Sequence, residues 1–177
     1  MVVGMVAGMV GSWASWAVSA RAADVTGNPR AAAPRGRVVL TVSGAVSRPN
    51  VDGSPPRHQF DAEMIDALPV HTVHTRTPWH QGRVAFTGPL LADVLAQAGA
   101  NGRTVQMTAL NDYQVRMPLD EVLPYRPILA RRADGVVLAV REKGPLFLMF
   151  PFDELPDARN DLYYSRAIWQ LKEIEVR

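Results

Sequence analysis

The 177-residue sequence contains no cysteine. That absence excludes a disulfide framework, a metal site built on thiolates and a lipid anchor attached through cysteine. Stability must therefore come from a hydrophobic core. Hydrophobic residues make up 47% of the chain, which is ordinary for a globular protein and sufficient for one domain with such a core.

Charge is also sparse, because only 20% of the residues are charged and the net charge is +2. The sequence has no run of Lys and Arg and no basic helix. Proteins that bind nucleic acid concentrate positive charge on one face or along one helix. We therefore expect no nucleic-acid partner.

Motifs of the common catalytic classes are missing as well. The sequence has no G-x-S-x-G and no glycine-rich phosphate loop. His71, His74 and His80 lie close together, but in an extended segment the first two point to opposite faces, so we expect no metal site. Ser165 is interpreted as a hydrogen-bonding loop residue. No catalytic residue is assigned.

The N-terminal stretch has its own composition. Residues 1–20 carry no charged side chain and are followed by Ala-Arg-Ala at 20–22. This pattern predicts a secretory signal peptide over 1–22, cleaved after Ala22 or Ala23, and hence a periplasmic protein. Because no Lys or Arg precedes the apolar run, an uncleaved membrane anchor stays open as the alternative.

Residues 23–36 are small, polar and proline-containing, so they are interpreted as a linker before one domain over 37–177. Short β-branched stretches separated by turn residues predict many short strands. A short helix or helical turn is expected within 60–69, and the clearest helix is expected after Gly88-Pro89, with Thr87 as its cap and Gly99 at its end. The predicted fold class is mixed α/β (α+β), with short mixed β-sheets and few helices.

The stretch from 144 to 176 is expected to form two buried strands joined by an acidic loop. The last strand is placed over 168–176, where Trp169 and Leu171 alternate on one face and Ile174 and Val176 on the other. A β-bulge near Glu173 would reconcile the two pairs. Trp169 is accordingly interpreted as a core residue.

Aromatic and hydrogen-bonding side chains recur at the ends of the predicted elements. Aromatic rings stack on flat heteroaromatic ligands, amide and carboxylate groups pair with ring N–H edges, and Arg and Lys balance an anionic tail. The candidate ligand-binding residues are Trp79, Asn111, Asp112, Tyr113, Arg131, Arg141, Lys143, Tyr164 and Ser165. A turn role for the Asn111-Asp112 pair and a core role for Tyr113 stay open.

Five blocks occur in order along the chain. They are T-P-W…F-x-G-P-L-L-x-x-V-L-x-x-A-G-A (77–100), A-L-N-D-Y-x-V (109–115), P-I-L-A-R-R-x-D-G (127–135), R-E-K-G-P-L-F-L-M-F-P-F-D (141–153) and Y-Y-S-R-x-I-W-Q-L-K-x-I-E-V (163–176). This series resembles the small exported proteins of the sulfite-oxidase-type molybdopterin-binding fold. The resemblance covers roughly 37–177.

The resemblance implies a cleft that binds a pterin, and molybdopterin is one candidate. In the molybdenum enzymes of this fold a cysteine thiolate ligates the metal, and that position corresponds to Thr75 here. Threonine is a poor substitute for a soft thiolate, so no metal is expected. The roles that follow are Trp79 and Tyr113 as stacking platforms, Asp112 as acceptor, Arg141 and Lys143 on the ligand's polar tail, and Tyr164 and Ser165 closing the pocket.

Three functional hypotheses remain. The preferred one is a non-enzymatic pterin-binding protein, and it follows the resemblance to cysteine-free periplasmic proteins that bind a reduced pterin and act with membrane-bound sensors such as those that make or break cyclic di-GMP. The second is a molybdopterin-dependent oxidoreductase that lacks the usual cysteine ligand. The third is an interaction domain that kept the fold and lost the ligand.

Overall fold

The computed structural model describes residues 31–155, 157 and 159–177. The predicted signal peptide lies outside these residues, as does the first part of the predicted linker. Within the described ranges, no helix is long and apolar enough to cross a membrane.

The described residues form eleven strands and four α-helices. The strands are β1 (Val38–Gly44), β2 (Arg57–Asp61), β3 (Val70–Arg76), β4 (Arg83–Pro89), β5 (Thr104–Ala109), β6 (Gln114–Pro118), β7 (Ile128–Ala130), β8 (Arg132–Ala133), β9 (Val136–Val137), β10 (Phe147–Met149) and β11 (Leu171–Val176). The helices are α1 (Ala62–Asp66), α2 (Leu91–Ala98), α3 (Leu119–Val122) and α4 (Asp161–Arg166). Short strands and few helices confirm the predicted mixed α/β class and the single domain.

Three sheets divide these strands. The largest has the order β2-β1-β11-β5-β6, with β1 and β11 parallel and the other neighbours antiparallel. A second sheet has the order β3-β4-β8-β9, and the third sheet has two strands, β10 and β7. Alternation along β1 turns Leu40 and Val42 inward, where both are fully buried. The core also encloses β7 and β10, which are buried at every position.

Helix α2 begins one turn later than the sequence suggested. Thr87 lies in β4, opposite Thr72 of β3, and so does not cap the helix. The cap position is Leu90, which has no side-chain cap bond. Strand pairing through Pro89 overrode the local capping signal. The other end is as predicted, because Gly99 ends the helix with φ of 65° in the left-handed region that favours glycine.

The C-terminal part differs more from the expectation. Residues 161–166 form helix α4, capped by the Asn160 side chain, which accepts a hydrogen bond from Tyr163 N. The prediction of two strands joined by a loop missed this helix, and Ser165 lies in it rather than in a loop. The β-bulge is confirmed, since the pairing of β11 with β5 shifts register between Leu171 and Glu173.

Trp169 was wrongly interpreted as a core residue within a strand. Strand β11 starts only at Leu171, so Trp169 lies in the segment that connects α4 to it. There the residue is 36% exposed. The alternation with Leu171 that suggested a strand is therefore a coincidence of spacing.

Gly88 lies where β4 crosses the backbone of β7. A Cβ at this position would be 2.0 Å from the carbonyl oxygen of Leu129. Because that oxygen belongs to the backbone, no side-chain rotation can relieve the clash. We expect Gly88→Ala to lower the free energy of unfolding by about 1–3 kcal/mol. Gly36→Ala is the matched control, since its nearest neighbours would be 3.5 Å away. Equal stability of the two variants in urea denaturation would contradict this packing.

His58 is a fully buried ring on β2. Its Nδ1 donates to the Arg48 carbonyl oxygen at 2.6 Å, while the buried Nε2 has no hydrogen-bond partner among the described residues. Burial lowers the pKa of His58 below 6.5, and the bond to Arg48 offsets only part of that effect. The ring is therefore neutral in the folded protein at neutral pH.

Stability should consequently fall on acidification. Below the unfolded-state pKa of about 6.5, the unfolded chain binds a proton that folded His58 does not, which costs at most about 1.4 kcal/mol per pH unit. The loss begins near that value and ends at the lower folded pKa. We expect His58→Gln to reduce the slope of unfolding free energy from about pH 7 to about pH 5. His74→Gln, at an exposed ring on β3, is the control variant.

Candidate ligand-binding site

A cavity of about 410 Å³ opens where α4, the β5–β6 turn and the turn after β3 meet. Its volume falls within the range of small-molecule sites, about 300–1,000 Å³. The lining residues are Trp79, Ala109, Asn111, Tyr113, Tyr164, Ser165, Ala167, Ile168 and Trp169. Four of them are aromatic, so rings form a large part of the walls, which are mostly apolar.

Trp79 makes edge-to-face contacts with two of the other rings. The Trp79 centroid lies 5.5 Å from that of Trp169 at an interplanar angle of 68°, and 6.1 Å from that of Tyr164 at 84°. Phe147 of β10 supports Trp79 from the core at 5.7 Å. Edge-to-face contacts of this kind are favourable, so the rings form a fixed apolar corner.

The turn after β3 holds Trp79 through Thr77. The Thr77 hydroxyl oxygen accepts a hydrogen bond from Trp79 N at 3.3 Å and lies 2.7 Å from His80 Nδ1. Burial lowers the pKa of His80, and the positive charge of Lys143 lowers it further. The neutral His80 ring can accept a hydrogen bond from the Thr77 hydroxyl at Nδ1. This bond completes a compact polar turn beneath the Trp79 indole.

The polar groups of the cavity are largely engaged by the protein itself. Asn111 Oδ1 accepts from Tyr113 N at 3.2 Å, the Tyr113 hydroxyl donates to the Ser165 carbonyl at 3.4 Å, and the Ser165 hydroxyl donates to the Leu162 carbonyl at 2.7 Å. Among the described residues that line the cavity, none carries a charged side chain. The cavity is thus suited to an uncharged, flat group.

Positive charge lies next to it. A second, more exposed cavity of about 370 Å³ shares Trp79 and is lined also by His80, Arg141, Glu142 and Lys143. Lys143 Nζ lies 5.3 Å from the centroid of the Trp169 ring, a cation–π contact that links the two cavities. A ligand with a flat ring and an anionic tail could occupy both.

The structure brings most of the predicted site residues together. Five line the first cavity (Trp79, Asn111, Tyr113, Tyr164 and Ser165), and Arg141 and Lys143 line the second. Arg131 lies apart, with Nε donating to Asp66 at 3.0 Å. Asp112 lines neither cavity, and its carboxylate accepts from Lys172 Nζ at 2.6 Å. The ligand roles of all nine remain predictions.

Sequence reasoning missed four lining residues: Ala109, Ala167, Ile168 and Trp169. For Trp169 a signal existed, because it belongs to the same C-terminal block as Tyr164. The small and aliphatic residues carried no signal of their own, since their place in the wall depends on how α4 packs.

Thr75, at the position that the resemblance assigns to the cysteine ligand, has a structural role here. Its side chain is fully buried, and Oγ1 accepts from Asp153 N at 3.0 Å and donates to the Arg76 carbonyl at 3.3 Å. No group of three or more His, Asp or Glu side chains in the described ranges is arranged to hold a metal. The hydrogen-bonded Thr75 hydroxyl therefore does not fit a molybdenum centre, whereas the corner of Trp79, Trp169 and Tyr164 fits an organic ring.

No family model and no curated protein matches the chain. Among solved structures, the sulfane dehydrogenase SoxCD from Paracoccus pantotrophus is similar, with a TM-score of 0.55 and 15% identity over 77% of this chain. The match covers 37% of that chain, so this protein spans little more than a third of its length. At this identity the likeness shows the fold alone, and it confirms the expected sulfite-oxidase-like fold.

The hydroxyl of Thr75 can be tested directly. Thr75→Val keeps the shape but removes the acceptor of the Asp153 N–H, which should cost about 1–3 kcal/mol of unfolding free energy. Thr72→Val makes the same change at an exposed position of β3 and should be nearly neutral. Chemical denaturation compares the two, and equal losses would show that the hydroxyl has no such role.

Proposed function

We propose that this protein binds a pterin, without catalysing a reaction on it. The observation that carries the proposal is the aromatic corner of Trp79, Trp169 and Tyr164, with Lys143 at its edge. A pterin is a flat, uncharged bicyclic ring with a polar tail. The uncharged aromatic cavity suits the ring, and the cationic second cavity suits an anionic or strongly polar tail.

The ring and the tail of a pterin each have matching side chains in the two cavities. Stacking on an aromatic side chain contributes about 0.5–1.5 kcal/mol beyond the burial of area. The Asn111 amide and Ser165 hydroxyl line the same cavity and can exchange hydrogen bonds with ring nitrogen and oxygen atoms. Arg141, which is highly exposed, can swing towards a charged tail.

The biological setting belongs to the same proposal. We place the protein in the periplasm, exported by residues 1–22, and acting with the periplasmic domain of a membrane-bound sensor such as a cyclic-di-GMP enzyme. The apolar N-terminal stretch supports export, and the sequence blocks support the partner class through their resemblance to cysteine-free pterin-binding proteins. The partner would then detect whether the protein has its ligand bound.

A molybdenum-cofactor oxidoreductase is the second candidate, favoured by the fold shared with a sulfane dehydrogenase. Such an enzyme needs a molybdenum centre beside its substrate. The buried, hydrogen-bonded hydroxyl of Thr75 replaces the soft ligand that would hold that centre. This disagreement ranks the oxidoreductase below the binding protein.

Binding can be measured in the full chain carrying Trp13→Phe and Trp16→Phe, which leaves Trp79 and Trp169 as the fluorescent residues. We expect neopterin and tetrahydrobiopterin to quench this fluorescence in a saturable way. Trp79→Ala should weaken binding by about tenfold or more, measured by titration calorimetry. Tyr125→Ala is the control, because it removes an aromatic ring outside both cavities.

Protein purified from its own host separates the three hypotheses. Elemental analysis would report molybdenum, and fluorescence after acid oxidation would report released pterin. Pterin without metal supports the binding protein, whereas one molybdenum per chain would establish the oxidoreductase instead. A protein that contains neither and gives no saturable response to pterins would be an interaction domain.

A further inference from the structure

Three arginines meet at one carboxylate, outside both cavities. Asp153 follows β10 in the chain, and its side chain is only 8% exposed. Its Oδ2 lies 3.3 Å from Arg76 Nη1 and 3.5 Å from Arg83 Nε, and its Oδ1 contacts Arg159 Nη2. Arg76 and Arg83 pair across β3 and β4, at the two ends of the turn that carries Trp79. We name these four residues the arginine cluster.

Backbone groups fix the arginine cluster in place. Arg83 Nε also donates to the His74 carbonyl at 3.1 Å, and Arg159 Nε donates to the Phe152 carbonyl at 2.8 Å. Burial raises the pKa of Asp153, but hydrogen bonds and positive charge from Arg159 and Arg76 outweigh it and hold the pKa below its ordinary value. The carboxylate therefore remains ionised and keeps the guanidinium groups converging.

One carboxylate cannot neutralise three guanidinium groups, so the arginine cluster keeps an excess of two positive charges. The three arginine side chains are between 44% and 68% exposed, which leaves them accessible from solvent. The contacts above use Nη1 of Arg76, Nε of Arg83, and Nε and Nη2 of Arg159. Within the part of the chain that the structure describes, both Nη groups of Arg83, Nη2 of Arg76 and Nη1 of Arg159 are left to donate.

We propose that Arg76, Arg83 and Arg159 form a binding site for a doubly charged tetrahedral oxyanion of the sulfate or phosphate type. Planar guanidinium groups pair with such oxygens through two parallel, charge-assisted hydrogen bonds. Two of the three contact the same Asp153 oxygen, so they are close enough for one anion to bridge them. The anion would be a free ion or the charged group of a larger molecule.

Such an anion would join the two ends of the Trp79 turn through Arg76 and Arg83. It would not enter the aromatic cavity, which none of the three arginines lines. The site is therefore independent of pterin binding, and Trp79→Ala should leave the anion affinity unchanged.

The test is titration calorimetry on the full chain with sodium sulfate, sodium phosphate and glycerol 3-phosphate, each at constant ionic strength set with sodium chloride. We expect saturable binding at one site for at least one probe. Arg83→Gln should weaken it by about tenfold or more. Arg103→Gln, which removes the same charge at an exposed position outside the arginine cluster, should retain the wild-type affinity.

Tighter binding of glycerol 3-phosphate than of the inorganic ions would identify the charged group of a larger molecule. The reverse order would identify a free ion. Equal affinities in Arg83→Gln and Arg103→Gln, or no saturable heat from any of the three probes, would overturn the proposal. Circular dichroism checks that Arg83→Gln is folded, and Arg76→Gln replaces it if it is not.

Discussion

The hydrogen bond from Asp153 N to the Thr75 hydroxyl joins the end of β3 to the loop after β10. Both neighbouring features depend on that junction. On one side the chain turns at Thr77 and presents Trp79 to the cavity. On the other, the Asp153 carboxylate gathers three arginines. A single buried hydroxyl thus sets the relative position of an aromatic wall and a cationic cluster.

The core reaches the cavity through a continuous series of rings. Phe86 of β4 contacts Phe147 of β10, and Phe147 contacts both Trp79 and Trp169. Because Phe86 and Phe147 are fully buried, they cannot shift without opening a void in the core. The corner that lines the cavity is consequently supported by the core behind it, which would reduce the entropy lost on binding a flat ring.

Local signals in the sequence predicted local structure well. Helix α2, its end at the left-handed Gly99 and the bulge near Glu173 each follow from a few adjacent residues. Helix α4 was missed although Asn160 is a typical cap, because the acidic stretch before it favoured a loop that runs up to the last strand. Thr87 failed as a cap because strand pairing, a long-range interaction, took precedence over it.

The candidate site shows the same limit. Aromatic chemistry at the ends of predicted elements selected Trp79, Tyr113 and Tyr164, but periodicity could not show that these rings share one cavity. Tyr113 meets the Ser165 carbonyl across 52 residues of chain, a contact that only the packing of α4 against the sheet creates. Arg131 and Asp112 carried the same hydrogen-bonding chemistry as the others, yet each is held by an ion pair elsewhere.

The position of β11 in the main sheet decides when the fold can form. This strand lies between β1 and β5, although it follows all ten other strands along the chain. Until it emerges during synthesis, β1–β2 and β5–β6 are two separate antiparallel pairs whose inner edges have no neighbour. A two-stranded pair is only marginally stable in water. The sheet must therefore close late, as one step that joins its two halves after the rest of the domain has been made.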